Sequence, residues 1–494
     1  MPVLTVYQGF QKTELQVKAG TSVRHALQEA GILTPQPCGG RGTCGKCAAL
    51  MEGELSAPTQ AESRMGTRLI CQAAVQGDAV ITIPQHQFMD QIEVGQTAAV
   101  TPSEPLSEGY GAAVDIGTTT LVFRLYELRT GRCLGVSSMA NPQMAVAADV
   151  IGRIGASMSG RLKLLHEMIA AAIRTLTAQA EAQADIPPES VKTLVITGNT
   201  TMLYLLTGRD PTALSHAPFE ADCLFDESIE WEGAKAYLPP CLHAFVGADI
   251  ACAVLASGMC EREETALLCD IGTNGEIALW KDGVLYVSST AAGPAFEGAG
   301  ISCGCGSIPG AIDRVTVQDG MLKSRTIRGE RAVGLCGSGL VDAVAAMLEV
   351  GWLDETGAMD EDEIDLRDGV VLKQADIRAV QLAKSAIAAG IECLMKAAGV
   401  THDQITRLYL AGGFGSHLNL QSAVRIGLLP QALEGRTQVI GNAALDGAVQ
   451  TLMRGESLQR LRTIAARAVH VDLAGNALFN ELYVDNMFFP ESFC

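Results

Sequence analysis

Three cysteines, Cys38, Cys44 and Cys47, stand in a C-x5-C-x2-C run within PCGGRGTCGKC, and Cys71 follows in RLICQAA. Four thiolates, three of them on one short loop, supply the ligands that two bridged iron atoms require. Gly39, Gly40, Gly42 and Gly45 punctuate the loop. Residues without a Cβ let the backbone wrap closely around a cluster and turn N–H groups toward its sulfurs. A structural zinc site or unrelated free thiols are the alternatives, although structural zinc sites usually pair two C-x2-C knuckles and only one is present. Cys303 and Cys305, the one other close pair, cannot complete a metal site alone and are expected to be structural.

A second chemistry is written twice. The stretch AAVDIGTTTLVFRLYELRTGRCLGVSS begins at Ala112, and its echo ALLCDIGTNGEIALWKDGVLYVSST begins at Ala266. In the first copy Asp115 precedes Gly117, Thr118, Thr119 and Thr120; in the second Asp270 precedes Gly272, Thr273, Asn274 and Gly275, with Glu276 on the outgoing strand. A carboxylate beside a turn rich in N–H and hydroxyl donors is the combination that phosphates and Mg²⁺ favour. Farther on, YLAGGFGSH sets Gly412, Gly413 and Gly415 at the end of an apolar strand, where bare backbone can approach a purine and ribose. His417, just past it, reads as a surface or packing histidine.

The elements that must hold these residues are legible in outline. Residues 3–7 and 14–18 read as a strand hairpin, followed by Thr21 as a helix cap, a helix over 23–30 and Gly31 as its stop. After the cysteine loop, further strands end near Pro84. Residues 85–108 mix Gln, Thr, Ser, Pro and acids without periodicity, as a linker does. Each later copy reads strand, turn, strand, Gly-containing turn, strand, and opens a larger α/β segment with helices such as 162–179 and 377–398. Duplication implies two equivalent lobes with a cleft between them. The expected domains are therefore 1–84, a linker at 85–108, a first lobe at 109–260, and a second lobe at 261–494 that returns to the first.

Composition excludes several classes. The 494 residues are 48% hydrophobic and 18% charged with 52 glycines, which fits compact domains with many tight turns. A net charge of −19 repels nucleic acid and anionic lipid. Fifteen cysteines, an odd number and dispersed except for the cluster near the N-terminus, argue for a reducing compartment over a secreted disulfide framework. With no basic leader, no h-region and no apolar run near the ~20 residues that span a bilayer, a cytoplasmic protein without membrane contact is expected.

The cysteine spacing, one residue longer in its first gap than in plant-type ferredoxins, resembles hydroxylase-type ferredoxins, which implies an α+β β-grasp 2Fe-2S domain. The ordered turns resemble the phosphate-one, phosphate-two and adenosine segments of the actin-like ATPase superfamily, the acetate and sugar kinase, heat-shock chaperone and actin (ASKHA, ribonuclease H-like) group. VITGNTTM, with Gly198, Asn199 and Thr200, resembles its first connecting segment, and GNAALDGAV from Gly441 the helix that returns to the first lobe. DIGTTT, TGNTTM, FVGADI, DIGTNGE, AGPAFEGAGI, CGSGLVDAV, AGGFG and GNAA, in this order behind a ferredoxin-like domain, resemble the reductive activators of corrinoid proteins.

That resemblance implies ATP-dependent reduction of a Co(II) corrinoid to Co(I) for a methyltransferase system, with an upstream low-potential reductant and a homodimer. Cys38, Cys44, Cys47 and Cys71 would hold the cluster, and Asp115 and Asp270 the Mg²⁺. Gly117, Thr118, Thr119, Gly272, Thr273 and Asn274 would cradle phosphates, and Gly412, Gly413 and Gly415 the adenosine. Asn199 and Glu276 are the candidates to orient the attacking water. The competing readings are an ATP-driven electron donor to another low-potential enzyme, a small-molecule kinase with a redox module, and a binding module in which ATP only gates docking.

Overall fold

The computed structural model describes residues 1–8, 11–30, 32, 34, 40, 42, 47–83 and 100–491. The chain divides into two compact units: Met1–Asp90 with Pro294–Val380 and Glu491–Cys494, and Gln91–Gly293 with Gln381–Pro490.

In the first unit, Val3–Gln8 and Gln11–Gln16 form the expected hairpin, which joins a five-stranded sheet. Its order is Gln11–Gln16, Val3–Gln8, Val75–Ile83, Ala48–Leu55, Arg68–Leu69. Alternate residues Leu4, Val6 and Ile81 point inward and pack with Val23 and Leu27 of the helix Val23–Glu29. The cap of that helix is Ser22, not Thr21: the Ser22 Oγ accepts from the His25 N–H at 3.1 Å, because the N3 amide lies within reach of the residue directly before the first turn. Gly31 lies outside the described residues. Residues 294–380 contribute a three-stranded sheet, Met321–Thr326, Ala311–Gln318 and Gly334–Leu335, covered by the helix Gly337–Val350. Cys303 and Cys305 are buried there, Cys305 in a small cluster with Ala311 and Cys336.

The second unit holds two six-stranded sheets. One runs Glu227–Trp231, Ala234–Leu238, Val191–Gly198, Tyr110–Ile116, Thr120–Glu127, Arg132–Ala140. The other runs Thr437–Gly441, Arg407–Ala411, Ala266–Ile271, Gly275–Lys281, Val284–Thr290, Ala468–His470. In each, an antiparallel three-strand meander adds two parallel strands beside its first strand. The sequence echo is thus a repeat of topology. Ala112, Val114 and Ile116 face one core with the helix Leu162–Gln183, while Ala113 faces a second core shared with Leu268 and Ala278 of the other sheet. That shared core is filled by the helices Ala248–Ser257 and Ala443–Met453. They cross closely at Gly447, where a Cβ would lie 2.0 Å from the Cys252 carbonyl oxygen. The helix packed on Ala443–Met453 is therefore the one opened by FVGADI, and Thr200–Thr207 belongs to the first sheet's own core. Residues at the end of the expected linker are anchored: the Ser103 and Leu106 N–H groups donate to Met453 and Leu452. Among the described residues no helix is long and apolar enough to cross a membrane.

Candidate functional site

Strand alternation explains where the carboxylates go. Asp115 shares its face with Ala113, and Asp270 with Ala266 and Leu268, so both strand ends present an acid toward the core between the sheets. Glu276 lies directly opposite Asp270 in the antiparallel register. Its equivalent in the first meander is Val122, opposite Asp115, so the acid is duplicated but the glutamate is not.

A fourth carboxylate joins them. Asp249, in the first turn of Ala248–Ser257, lies near enough to Asp115, Asp270 and Glu276 to repel each. It reaches this position because Gly247 has no Cβ; one would sit 2.4 Å from the Asn199 Cα. Residue typing overlooked Asp249, although FVGADI was visible as a motif.

All four half-buried groups hold protons more tightly than free carboxyls. Burial is the largest cause in each case. It pushes Asp115 up to about 6, against an Asn442 hydrogen bond and the pull of Arg124. Burial with repulsion from Asp115 raises Asp270 to about 7. Burial with Asp115 and Asp270 raises Asp249 to about 7. Glu276 is raised well above its ordinary value by burial, Asp249 and Asp270, with Asn274 opposing. Crowded acids of this kind are relieved by a cation. Among the described residues no three Asp, Glu, His or Cys side chains form a ready-made metal cage.

The first turn is tied from behind. The Asn141 Nδ2 donates to the Gly117 carbonyl at 2.8 Å, the Asn141 N–H to the Thr119 carbonyl at 2.8 Å, and the Arg153 Nη2 to the Thr118 carbonyl at 2.5 Å. With these acceptors engaged, the turn's remaining hydrogen-bonding capacity is weighted toward donors, as an anion site needs. The Asn199 Nδ2 donates to the Thr118 Oγ1 at 3.2 Å, while its Oδ1 caps the helix Thr200–Thr207 through the Met202 N–H. Asn442, unremarked in the sequence, donates to the Asp115 Oδ2 at 3.0 Å and caps Ala443–Met453 through the Leu445 N–H.

In the second turn the Gly272 N–H donates to the Asn274 carbonyl at 2.9 Å, and the Asn274 side chain bonds Glu276. Thr273 lies between Gly272 and Asn274 in this turn, partly exposed. Gly412, at φ +89°, brings the glycine segment against the same acid: a Cβ there would lie 2.5 Å from the Asp270 Oδ1. Gly413 is exposed with open space around it, while Gly415 packs on Leu410. His417 is exposed.

Of the cysteines, Cys38 and Cys44 lie outside the described residues. Cys47 is buried and Cys71 half-buried, and the Ile70 N–H donates to the Cys47 carbonyl, so the pairing of Ala48–Leu55 with Arg68–Leu69 brings the two cysteine-bearing segments together. The Gln72 Nε2 spans from the Gly40 carbonyl at 2.8 Å to the Cys71 Sγ at 3.7 Å. Gly40 and Gly42 have positive φ, a backbone conformation that L side chains rarely adopt, and a Cβ there would meet the side chains of Arg24 and Gln72.

Duplicated meanders with paired acids and two crossing central helices define an actin-like, ASKHA-type ATPase fold. Residues 110–262 match the family described as the RACo middle region, and residues 264–493 match the C-terminal domain of RACo, the ASKHA domain. The chain belongs to this RACo family. It is 33% identical over 423 residues to the corrinoid activation enzyme RamQ of Eubacterium limosum, covering 78% of this chain and 71% of that protein. It is 26% identical over 418 residues to the [Co(II) methylated amine-specific corrinoid protein] reductase of Methanosarcina barkeri, covering 76% of each. The solved structure of a reductive activator for corrinoid, iron-sulfur protein superposes with a TM-score of 0.71 at 26% identity, covering 99% of this chain and 98% of that one.

Proposed function

We propose that this chain is an ATP-dependent reductive activator that passes one electron to the Co(II) corrinoid of a partner protein, restoring the Co(I) state that accepts a methyl group. One observation carries the reading: the two Asp-Ile-Gly-Thr turns converge on one acid cluster in a chain aligned over 423 residues with a corrinoid activation enzyme.

A 2Fe-2S cluster held by Cys38, Cys44, Cys47 and Cys71 would supply single electrons, and Mg²⁺-ATP would supply the free energy for an uphill transfer. That energy is needed because each ~59 mV of unfavourable potential is a tenfold penalty for a one-electron step. Residues 1–84 form the ferredoxin-like domain in this scheme, residues 85–108 the connector, and residues 109–260 and 261–494 the two lobes.

The chain's own groups divide the work of nucleotide handling. Thr118, Thr119, Thr273 and Asn274 donate to phosphate oxygens, Gly117 and Gly272 close the two turns through N–H bonds to the Thr120 and Asn274 carbonyls and leave room for the phosphates to approach, and Gly412, Gly413 and Gly415 admit the adenosine. Asp115 and Asp270, once ionised, would hold the cation. Glu276, opposite Asp270, orients the attacking water and, once ionised beside the bound cation, takes its proton at a carboxylate oxygen. Asn199 fixes the Thr118 hydroxyl. Closure of the lobes on nucleotide favours the partner complex, and hydrolysis releases it. The activator works as a homodimer in a reducing cytoplasm, its electrons drawn from a low-potential reductant.

Linkage gives the test: if nucleotide favours the partner complex, the partner must raise nucleotide affinity by the same factor. Titrating nucleotide into the chain with and without Co(II) corrinoid protein should show tighter binding with it, and Asp270→Ala should bind nucleotide weakly in both. Equal affinity across all corrinoid proteins of the source organism would favour the kinase reading instead.

A further inference from the structure

Arg153 is fully buried on the helix Val150–Ala156, and among the described residues none of its hydrogen-bond acceptors is a carboxylate. All its hydrogen bonds go to uncharged acceptors. The Nε donates to the Ala147 carbonyl at 3.1 Å, Nη1 to the Gln143 Oε1 at 3.3 Å and the Met202 Sδ at 3.1 Å, and Nη2 to the Thr118 carbonyl. Gln143 and Asn141, equally buried, complete the layer: the Gln143 Nε2 donates to the Leu165 carbonyl, its N–H to the Asn141 Oδ1, and the Asn141 Nδ2 to the Gly117 carbonyl.

Burying a guanidinium without a counter-charge is costly, and a methionine or leucine would fill the space without that penalty. Burial draws the Arg153 pKa down to about 9, with only the field of Asp149 opposing. The charge therefore needs a reason. It lies one peptide behind the 117–120 turn. A donor on the Thr118 carbonyl polarises the peptide whose N–H belongs to Thr119, and the Asn141 bond to Gly117 does the same for the Thr118 N–H.

We propose that Arg153 is a positioning residue for the nucleotide's phosphates, fixing and polarising the first turn through the Thr118 carbonyl and supplying a buried positive charge that the phosphates complete. The proposal rests on the nucleotide reading given above. The three-nitrogen fork explains why arginine stands here: one ammonium cannot reach acceptors on Thr118, Gln143 and Ala147 in a fixed plane.

The test compares adenosine with ADP by calorimetric titration of the full-length chain and its Arg153→Met and Arg153→Lys variants. Arg153→Met should lose about 10- to 100-fold in ADP affinity, the size of one charge-assisted contact, and keep its adenosine affinity. Arg153→Lys should recover part of the loss. In the wild-type chain the Arg153 Nε–H resonance should move on adding ADP and stay in place on adding adenosine, a readout that holds even where a variant does not fold. Equal losses for both ligands, or an Nε–H resonance indifferent to ADP, would reduce Arg153 to a packing residue. A wild-type chain that bound adenosine and ADP with the same affinity would overturn the phosphate role, and one that bound neither would overturn the nucleotide reading beneath it.

Discussion

Asp270 and Glu276 face one another across an antiparallel strand pair, where like charges repel. Asp249 adds to the repulsion. Asp249 and Asp270 move from 3.8 up to about 7, so between pH 4 and 7 the folded chain binds more protons than the unfolded one. Their contribution to stability is therefore present at low pH and lost as pH rises through about 7. Asp270→Asn should stabilise the ligand-free chain by about 2–4 kcal/mol more at pH 8 than at pH 4, read from thermal or denaturant melts at the two values. A variant no more stable than the wild type at pH 8 would mean that the acids do not repel. Cation binding has the opposite dependence, since Mg²⁺ takes the deprotonated groups: Mg²⁺-nucleotide affinity should rise between pH 6 and 8, and flat affinity would count against carboxylate ligation.

At the scale of elements, two glycines set what approaches what. Gly412→Ala places a methyl group on the Asp270 carboxylate in a backbone conformation that L residues avoid, so hydrolysis should fall at least tenfold while the iron content is unchanged. Gly447→Val forces apart the helices Ala248–Ser257 and Ala443–Met453; it should destabilise the chain by about 1–3 kcal/mol, measured by denaturant melts, and weaken nucleotide binding through Asp249 and Asn442. Unchanged stability would show that the crossing tolerates a wider spacing.

The meanders around Asp115 and Asp270 were legible because a repeated pattern with a period-two alternation survives in residue types alone. Asp249 and Asn442 were not singled out, since each lies in an apolar helical stretch and acquires its role only when Gly247 and Gly447 let backbones meet. The helix cap falls at Ser22 and not at Thr21 because both are favoured cap types and only the register of the first turn chooses between them. Arg153, a charged residue in a short helix, carried no sequence signal: nothing in residue type distinguishes a solvated arginine from one buried behind a turn.

For the molecule as a whole, iron and nucleotide should be separable. Cys71→Ser is expected to lose the iron and its absorption while binding ADP as the wild type does, and loss of both would mean that the cluster supports the fold of the entire chain. The net charge of −19 disfavours an acidic partner surface. The central claim is energetic coupling, and it is tested most directly by mixing the reduced chain anaerobically with Co(II) corrinoid proteins of the source organism and following the Co(I) absorption band. A band that grows with Mg²⁺-ATP, and does not grow without it or with Asp270→Ala, is the predicted result; Co(I) formed as fast and as fully without ATP would contradict it.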